Sequence, residues 1–282
     1  MSLRAEACYF RGADGALVHF DARNAGGRGP ARAACLTLHG LGEHLGKYAE
    51  WTKHATGRGY HVTAYDQRGH GRTRGRRGDF TYGDLVSDLE QFVAVTADRY
   101  PGEPVFILGH SLGALVALSY AGGEVHTAVR GMALSGPPIV LAGRIPTWYE
   151  GGVRLLARAA PRVPLRRGAD YSRVTRDIDR AAEFRRDPLI HRFITPRAMI
   201  GITAAMEAVR KTPEKVTLPL LFLVARADSV VSGGDVLAYA HFVASKDVTI
   251  EQFPGAYHEL LNDLGRRAVY DSICGWFDAH AG

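Results

Sequence analysis

Val105 to Leu118 reads VFILGHSLGALVAL, and this stretch decides the fold. Val105-Phe106-Ile107-Leu108 is a short apolar run, with the length and content of a strand buried on both faces. Leu112 to Gly122 has the length and composition of a helix. Between them stands Gly109-His110-Ser111-Leu112-Gly113, a G-x-S-x-G pattern. Alone the pattern is weak, because glycine and serine are common. Set between a buried strand and a helix, it describes a tight turn that holds one residue strained at its apex, with its hydroxyl raised above the sheet edge. The competing reading, a glycine-rich turn whose serine only caps a helix, does not require the preceding buried strand.

Working outward, strand-like and helix-like segments alternate. Ala7–Arg11 and Ala16–Ala22 flank an Asp14-Gly15 turn, a hairpin signal. Ala33–Leu38, His61–Tyr65, Pro104–Leu108, Val129–Leu134, Leu218–Val224 and Val248–Phe253 read as strands. Lys47–Gly57, Asp84–Arg99 and Leu264–Ala279 read as helices, the second with Leu85, Leu89, Phe92, Val93 and Thr96 on one stripe. Such alternation implies right-handed crossovers: an α/β fold whose mostly parallel central sheet is covered by helices on both faces. The interval 139–217 is too long for one crossover. It carries helix-like stretches at Trp148–Ala160 and Thr195–Lys211 and is expected to be an inserted helical lid plus the return crossover, with 1–138 and 218–282 forming the core. A lid there would cover the carboxyl ends of the strands, where open α/β sheets bind ligands.

A serine hydroxyl is a poor nucleophile until a base takes its proton and a third group orients that base. In this setting the order along the chain is serine, acid, histidine. Among the downstream histidines His126, His191, His241, His258 and His280, only His258 lies just past the last strand. Asp228 follows the penultimate strand in LLFLVARAD, with Asp235 in reserve as a residue that begins or caps the next helix. The stretch after the preceding strand, Leu134-Ser-Gly-Pro-Pro138, offers no carboxylate. Backbone N–H groups of Leu112, after the nucleophile, and Leu41, in the turn His39-Gly-Leu-Gly42, are the expected donors to a carbonyl oxygen as it gains negative charge.

Composition narrows the alternatives. The 282 residues are 46% hydrophobic and 23% charged, as in ordinary globular proteins. Met1–Phe10 lacks the apolar core of a secretory signal, and no stretch approaches a membrane span, so a cytoplasmic location is expected. Cys8, Cys35 and Cys274 are widely spaced and match no zinc or redox pattern; buried thiols are the expectation. Residues 139–200 hold thirteen arginines, no lysine and six acids, which accounts for the basic balance of the chain. No nucleic-acid-binding signature accompanies it. A transient contact of this basic lid with anionic membrane surfaces is one expectation, and a solvated arginine face is the plainer one.

Taken together, His39-Gly-Leu-Gly-Glu-His44, Tyr65-Asp-Gln-Arg-Gly-His-Gly71, Gly109–Gly113, Ala227-Asp228, Gly255-Ala-Tyr-His258 and the Asp187-Pro-Leu189 of the lid resemble the monoacylglycerol lipase and lysophospholipase branch of the α/β-hydrolases. The resemblance implies the α/β-hydrolase fold and a serine esterase or lipase that needs no metal and no cofactor. Its triad maps onto Ser111, Asp228 and His258, and its oxyanion donors onto Leu41 and Leu112. Polar contacts to a glycerol head map onto Glu43, Lys47 and His110, with lysine standing where the branch leads one to expect arginine. Ile145, Trp148, Leu155, Met199, Ile202 and Met206 are candidates to line an acyl tunnel, or else simply pack the lid. A lysophospholipase, a short-chain esterase, an acyltransferase and a non-catalytic receptor share these features.

Overall fold

The computed structural model describes residues 8–26, 29–143, 146–168 and 170–282. Its strands are β1 (Cys8–Arg11), β2 (Leu17–Arg23), β3 (Ala33–Leu38), β4 (Tyr60–Tyr65), β5 (Val105–His110), β6 (Val129–Ser135), β7 (Leu165–Arg166), β8 (Phe193–Ile194), β9 (Leu220–Ala225) and β10 (Val248–Phe253). Its helices are α1 (Ala49–Gly57), α2 (Tyr82–Arg99), α3 (Leu112–Ala121), α4 (Thr147–Ala159), α5 (Ile178–Arg186), α6 (Pro196–Lys211), α7 (Gly233–Ala240) and α8 (Arg266–His280). Eight strands form one sheet in the order β1-β2-β4-β3-β5-β6-β9-β10. The β1–β2 hairpin joins β4 antiparallel, and every pair from β4 to β10 is parallel.

Side-chain alternation explains why the central strands are apolar throughout. In β5, Val105 and Ile107 enter the core under α2, α3 and α6, while Phe106 and Leu108 enter the core under α1 and α8. β9 divides likewise, with Phe222 on the first face and Leu221 and Leu223 on the second. Phe106 stacks on Phe277 of α8 with ring centroids 4.5 Å apart. Burial of each such side chain contributes about 1.5–3 kcal/mol. The expected stripe on α2 faces the first core, and a Thr81–Asp84 capping box starts that helix.

Between β6 and β9 the chain builds α4, α5, the small antiparallel β7–β8 pair and α6. α6 packs against α2 and α3, and Gly201 lets its backbone approach Tyr82, where an added Cβ would sit 2.9 Å from the tyrosine Cβ. The sequence pattern does not reveal α5 or the β7–β8 pair. α5 is short and highly charged, and each of the two strands has only two residues. Among the described residues no helix is long and apolar enough to cross a membrane.

Candidate active site

Ser111 joins β5 directly to α3 with φ 51° and ψ −116°, the one non-glycine residue with positive φ among those described. A serine in that conformation is strained, and the surrounding packing must hold it there. The flanking glycines show how. A Cβ on Gly109 would lie 2.7 Å from Cα of Ala114, and one on Gly113 would lie 2.5 Å from the carbonyl oxygen of Leu38. The first turn of α3 therefore folds back over β5 and presses against the end of β3. That approach brings the turn after β3 to Ser111. Leu112 is the first residue of α3, so its N–H has no acceptor within the helix.

The turn after β3 is held by buried polar groups. His39 Nδ1 donates to the Gly40 carbonyl at 2.8 Å, and its Nε2 accepts from the Gln67 N–H at 2.9 Å. These two bonds fix one neutral tautomer, and burial pushes the imidazole pKa below its ordinary value. The Asp66 carboxylate accepts from Leu45 N–H at 2.8 Å and Arg72 N–H at 2.7 Å, tying the 39–48 and 66–73 loops together. Gly71, with φ +48°, leaves no room for a side chain beside that carboxylate.

His258 follows β10 and Asp228 follows β9. Nδ1 of His258 lies 2.7 Å from Oδ2 of Asp228, and both side chains are buried. The carboxylate can only accept, so Nδ1–H donates and Nε2 is left without a proton, able to accept one. Oδ1 of Asp228 accepts from the N–H groups of Val230 at 2.7 Å and Val231 at 3.0 Å. Burial alone would raise the Asp228 pKa. The His258 bond and charge, with the two N–H groups, outweigh it and hold the carboxyl below its usual range. Gly136, with φ +54°, stands beside the pair: a Cβ there would lie 3.0 Å from Cε1 of His258.

Ser111 and His258 open onto one cavity of about 850 Å³, whose wall also includes Leu41, Leu112, Leu141, Met199, Ile202 and Met206. Among the described residues the Ser111 hydroxyl makes no hydrogen bond within the protein, so it has yet to close on the imidazole. Such contacts commonly tighten only when substrate binds.

A profile of the serine aminopeptidase S33 family matches residues 29–265. The chain belongs to this family. It is 32% identical to the monoglyceride lipase of Rattus norvegicus over 242 residues, covering 84% of this chain and 78% of the relative. It is 29% identical to the monoacylglycerol lipase of Mycolicibacterium smegmatis over 254 residues, covering 88% and 89%. Among solved structures, a soluble variant of the Saccharomyces cerevisiae monoglyceride lipase in complex with a substrate analogue superposes with a TM-score of 0.89 at 25% identity, covering 100% of this chain and 97% of the other. The fold is the α/β-hydrolase fold, and the chain is a serine hydrolase of the monoacylglycerol-lipase branch.

Against that family background, the structure sorts the residues singled out in the sequence. Ser111, His258, Leu41, Leu112, Met199, Ile202 and Met206 all reach the cavity, and Asp228 stands behind His258. Trp148 and Leu155 do not: they lie on α4 at 77% and 69% exposure, away from the cavity wall. The helix turns Val153 inward instead, because its apolar stripe follows a different register from the one those two residues suggest. Ile145 lies outside the described residues. Asp235 caps the start of α7 with Ser232. Cys35 and Cys274 are buried free thiols.

Of the three residues mapped to a headgroup, Glu43 and Lys47 line the cavity wall but are engaged within the protein, and His110 does not reach the wall. Lys47 Nζ is ion-paired to Glu43 and lies 2.5 Å from Oε1 of Glu259, with the Phe184 ring of α5 covering it at 4.1 Å. The other Glu43 oxygen accepts from Gly40 N–H at 2.9 Å and Tyr48 O–H at 2.7 Å. His110 is buried behind His258, its ring centroid 4.8 Å away, and is absent from the cavity wall. Its Nε2 is 3.4 Å from Glu259, long for a hydrogen bond. Burial alone would depress the His110 pKa, but Glu259 and Glu43 outweigh it and raise it. Glu43, His110 and Glu259 are the one group with metal-like spacing among the described residues, and the Lys47 ammonium already supplies their cation. Reading from the sequence does not reach Glu259, although its place directly after His258 is a usable signal.

Proposed function

We propose that this enzyme hydrolyses monoacylglycerol-type esters through an acyl-enzyme on Ser111. One observation carries the reading: a hydroxyl strained into the open, a base already oriented by its carboxylate and an apolar cavity wall meet at the edge where the parallel strands end. Ser111 attacks the ester carbonyl while His258 Nε2 takes its proton. Asp228 keeps the imidazole in the required tautomer and stabilises it once charged. The N–H groups of Leu41 and Leu112 receive the oxyanion, and Met199, Ile202 and Met206 take the acyl chain. His258 returns the proton to the leaving alcohol, and water, deprotonated by the same base, frees the fatty acid. We propose that residues 139–217 act as the lid over this cavity. The exposed Arg154, Arg158, Arg166, Arg185 and Arg186 would then bring a cytoplasmic enzyme transiently to anionic lipid surfaces. The test is labelling with a fluorophosphonate and release of fatty acid from a monoacylglycerol. Both should occur with the wild type and be lost in Ser111→Ala. Labelling that survives this substitution would overturn the assignment.

A further inference from the structure

The cavity contains a guanidinium that the proposed chemistry does not use. Arg167 follows β7, and its backbone N–H is held by the Arg192 carbonyl at 2.7 Å. Its side chain reaches into the cavity wall, where Nη2 donates to the Leu41 carbonyl at 3.2 Å. Leu41 is also the residue proposed to donate to the oxyanion. The Nε–H of Arg167 is buried and has no acceptor among the described residues. Gly42 makes room for this approach: with φ +85° it carries no Cβ, and one would lie 2.7 Å from Nη2 of the arginine.

Among the described residues no carboxylate is paired with this cation. Glu43 and Glu259 share the cavity wall but are engaged by Lys47, and Asp170 is bonded to Ser172. Arg173 and Arg192 line the same wall and, among the described residues, stand in no ion pair. By contrast Arg176, Arg180 and Arg197 of the same insertion are each paired to a carboxylate. A half-buried guanidinium with no carboxylate partner, in the wall of the cavity that holds Ser111, is costly unless something anionic joins it, and its planar donors match phosphate or carboxylate oxygens.

The geometry points to Arg167 as an anion-binding subsite that favours esters whose alcohol carries a phosphate or carboxylate, such as an acylated glycerol phosphate, over neutral monoacylglycerols. This rests on the proposed esterase reading and deepens it. The anionic group would bind within one residue of the Leu41 N–H, a few bonds from the scissile carbonyl, as the glycerol phosphate of a monoacylated ester requires.

The experiment compares kcat/KM for a short-chain monoacylglycerol, its 3-phosphate and its hemisuccinate, all kept monomeric, in wild type, Arg167→Met and Arg167→Lys. The wild type should prefer one of the anionic esters, and which one separates phosphate from carboxylate. Arg167→Met should lose about ten- to a hundredfold more on that ester than on the neutral one, with the difference mainly in KM. Arg167→Lys should keep part of the preference, since it retains the charge without the fork. Equal losses on every ester would assign Arg167 to holding the Leu41 turn and would overturn the proposal, as would a wild type without anionic preference. If no ester is cleaved, the esterase reading fails on its own. Titration of glycerol 3-phosphate and of succinate into wild type and Arg167→Met then decides the subsite: binding of either that is lost with the arginine supports it, and no binding overturns it.

Discussion

Replacing Lys47 by methionine should expose what the buried trio does. Methionine fills a similar volume and removes the charge, leaving Glu43 and Glu259 with facing oxygens within 4.8 Å of one another. Two carboxylates at that distance repel by about 3.5 kcal/mol at an effective dielectric of about 20. The folded protein can escape this by protonating one of them, which at pH 7 costs about 3.7 kcal/mol for a group of ordinary pKa. The two routes agree, and losing the cation over the Phe184 ring adds about 0.5–1 kcal/mol. Lys47→Met should therefore lose about 4 kcal/mol at pH 7, within the range for breaking a buried pair. The pH dependence identifies the cause. In the wild type the Lys47 ammonium and the His110 ring outweigh burial and hold Glu259 well below its usual range. In the variant one carboxyl is raised instead, so its contribution is full below about pH 4.3 and is lost as pH rises. The deficit should shrink to about 1–2 kcal/mol at pH 5, because the proton then costs only about 1 kcal/mol. Urea unfolding followed by tryptophan fluorescence at both pH values measures this. Adding Glu259→Gln should restore most of the loss. A deficit that does not change with pH, or one below about 1 kcal/mol at pH 7 as for an exposed pair, would refute the reasoning.

Two further outcomes follow from contacts around the base. Gly136→Ala places a methyl 3.0 Å from Cε1 of His258 at a positive φ, so kcat should fall about tenfold or more while the fold persists; unchanged kcat with an unchanged circular dichroism spectrum would show that the imidazole is not confined there. Asp263, buried, accepts from Tyr257 N–H at 3.0 Å, Arg176 N–H at 2.7 Å and Arg176 Nε at 2.8 Å, and these bonds outweigh burial to hold its pKa down. Its stabilisation is present above about pH 4 and lost as pH falls towards the folded value, so Asp263→Asn should melt lower at pH 7 and lose less on acidification than the wild type.

The fold was legible because the parallel strands are buried on both faces and read as apolar runs, with β5, β9 and β10 each marked within two or three residues of their true limits. The meeting of Ser111, Asp228 and His258 was legible because the fold puts each one just past a strand end, so order along the chain stands in for distance in space. Trp148 and Leu155 failed because apolar character does not say which way a helix in an insertion will turn. Its partners come from loops without a pattern of their own. The surroundings of the headgroup positions were hidden for another reason. Glu43 and Lys47 are four residues apart, the lysine in a short 3-10 turn, and the ion that engages it from the other side, Glu259, arrives from more than two hundred residues away.

That third ion also explains what lysine does at position 47, where arginine was expected. An ammonium has three donors and no preferred plane. Two point at Glu43 and Glu259, and the Phe184 ring lies over the ammonium at 4.1 Å, so its charge is already matched within the cavity wall. The lysine joins the turn that carries Leu41 to the loop that carries His258, through Glu43 on Gly40 N–H at one end and Glu259 beside the base at the other. An arginine fork there would have N–H groups to spare, directed at the cavity. Among the described residues, the guanidinium groups in the cavity wall that stand in no ion pair belong to Arg167, Arg173 and Arg192, between β6 and β9. Recognition of the alcohol would then shift from the core loops to the insertion, where the basic excess of the chain is concentrated. Variants of Lys47 should accordingly alter stability and kcat for every ester alike, and variants of Arg167 should alter the choice among esters.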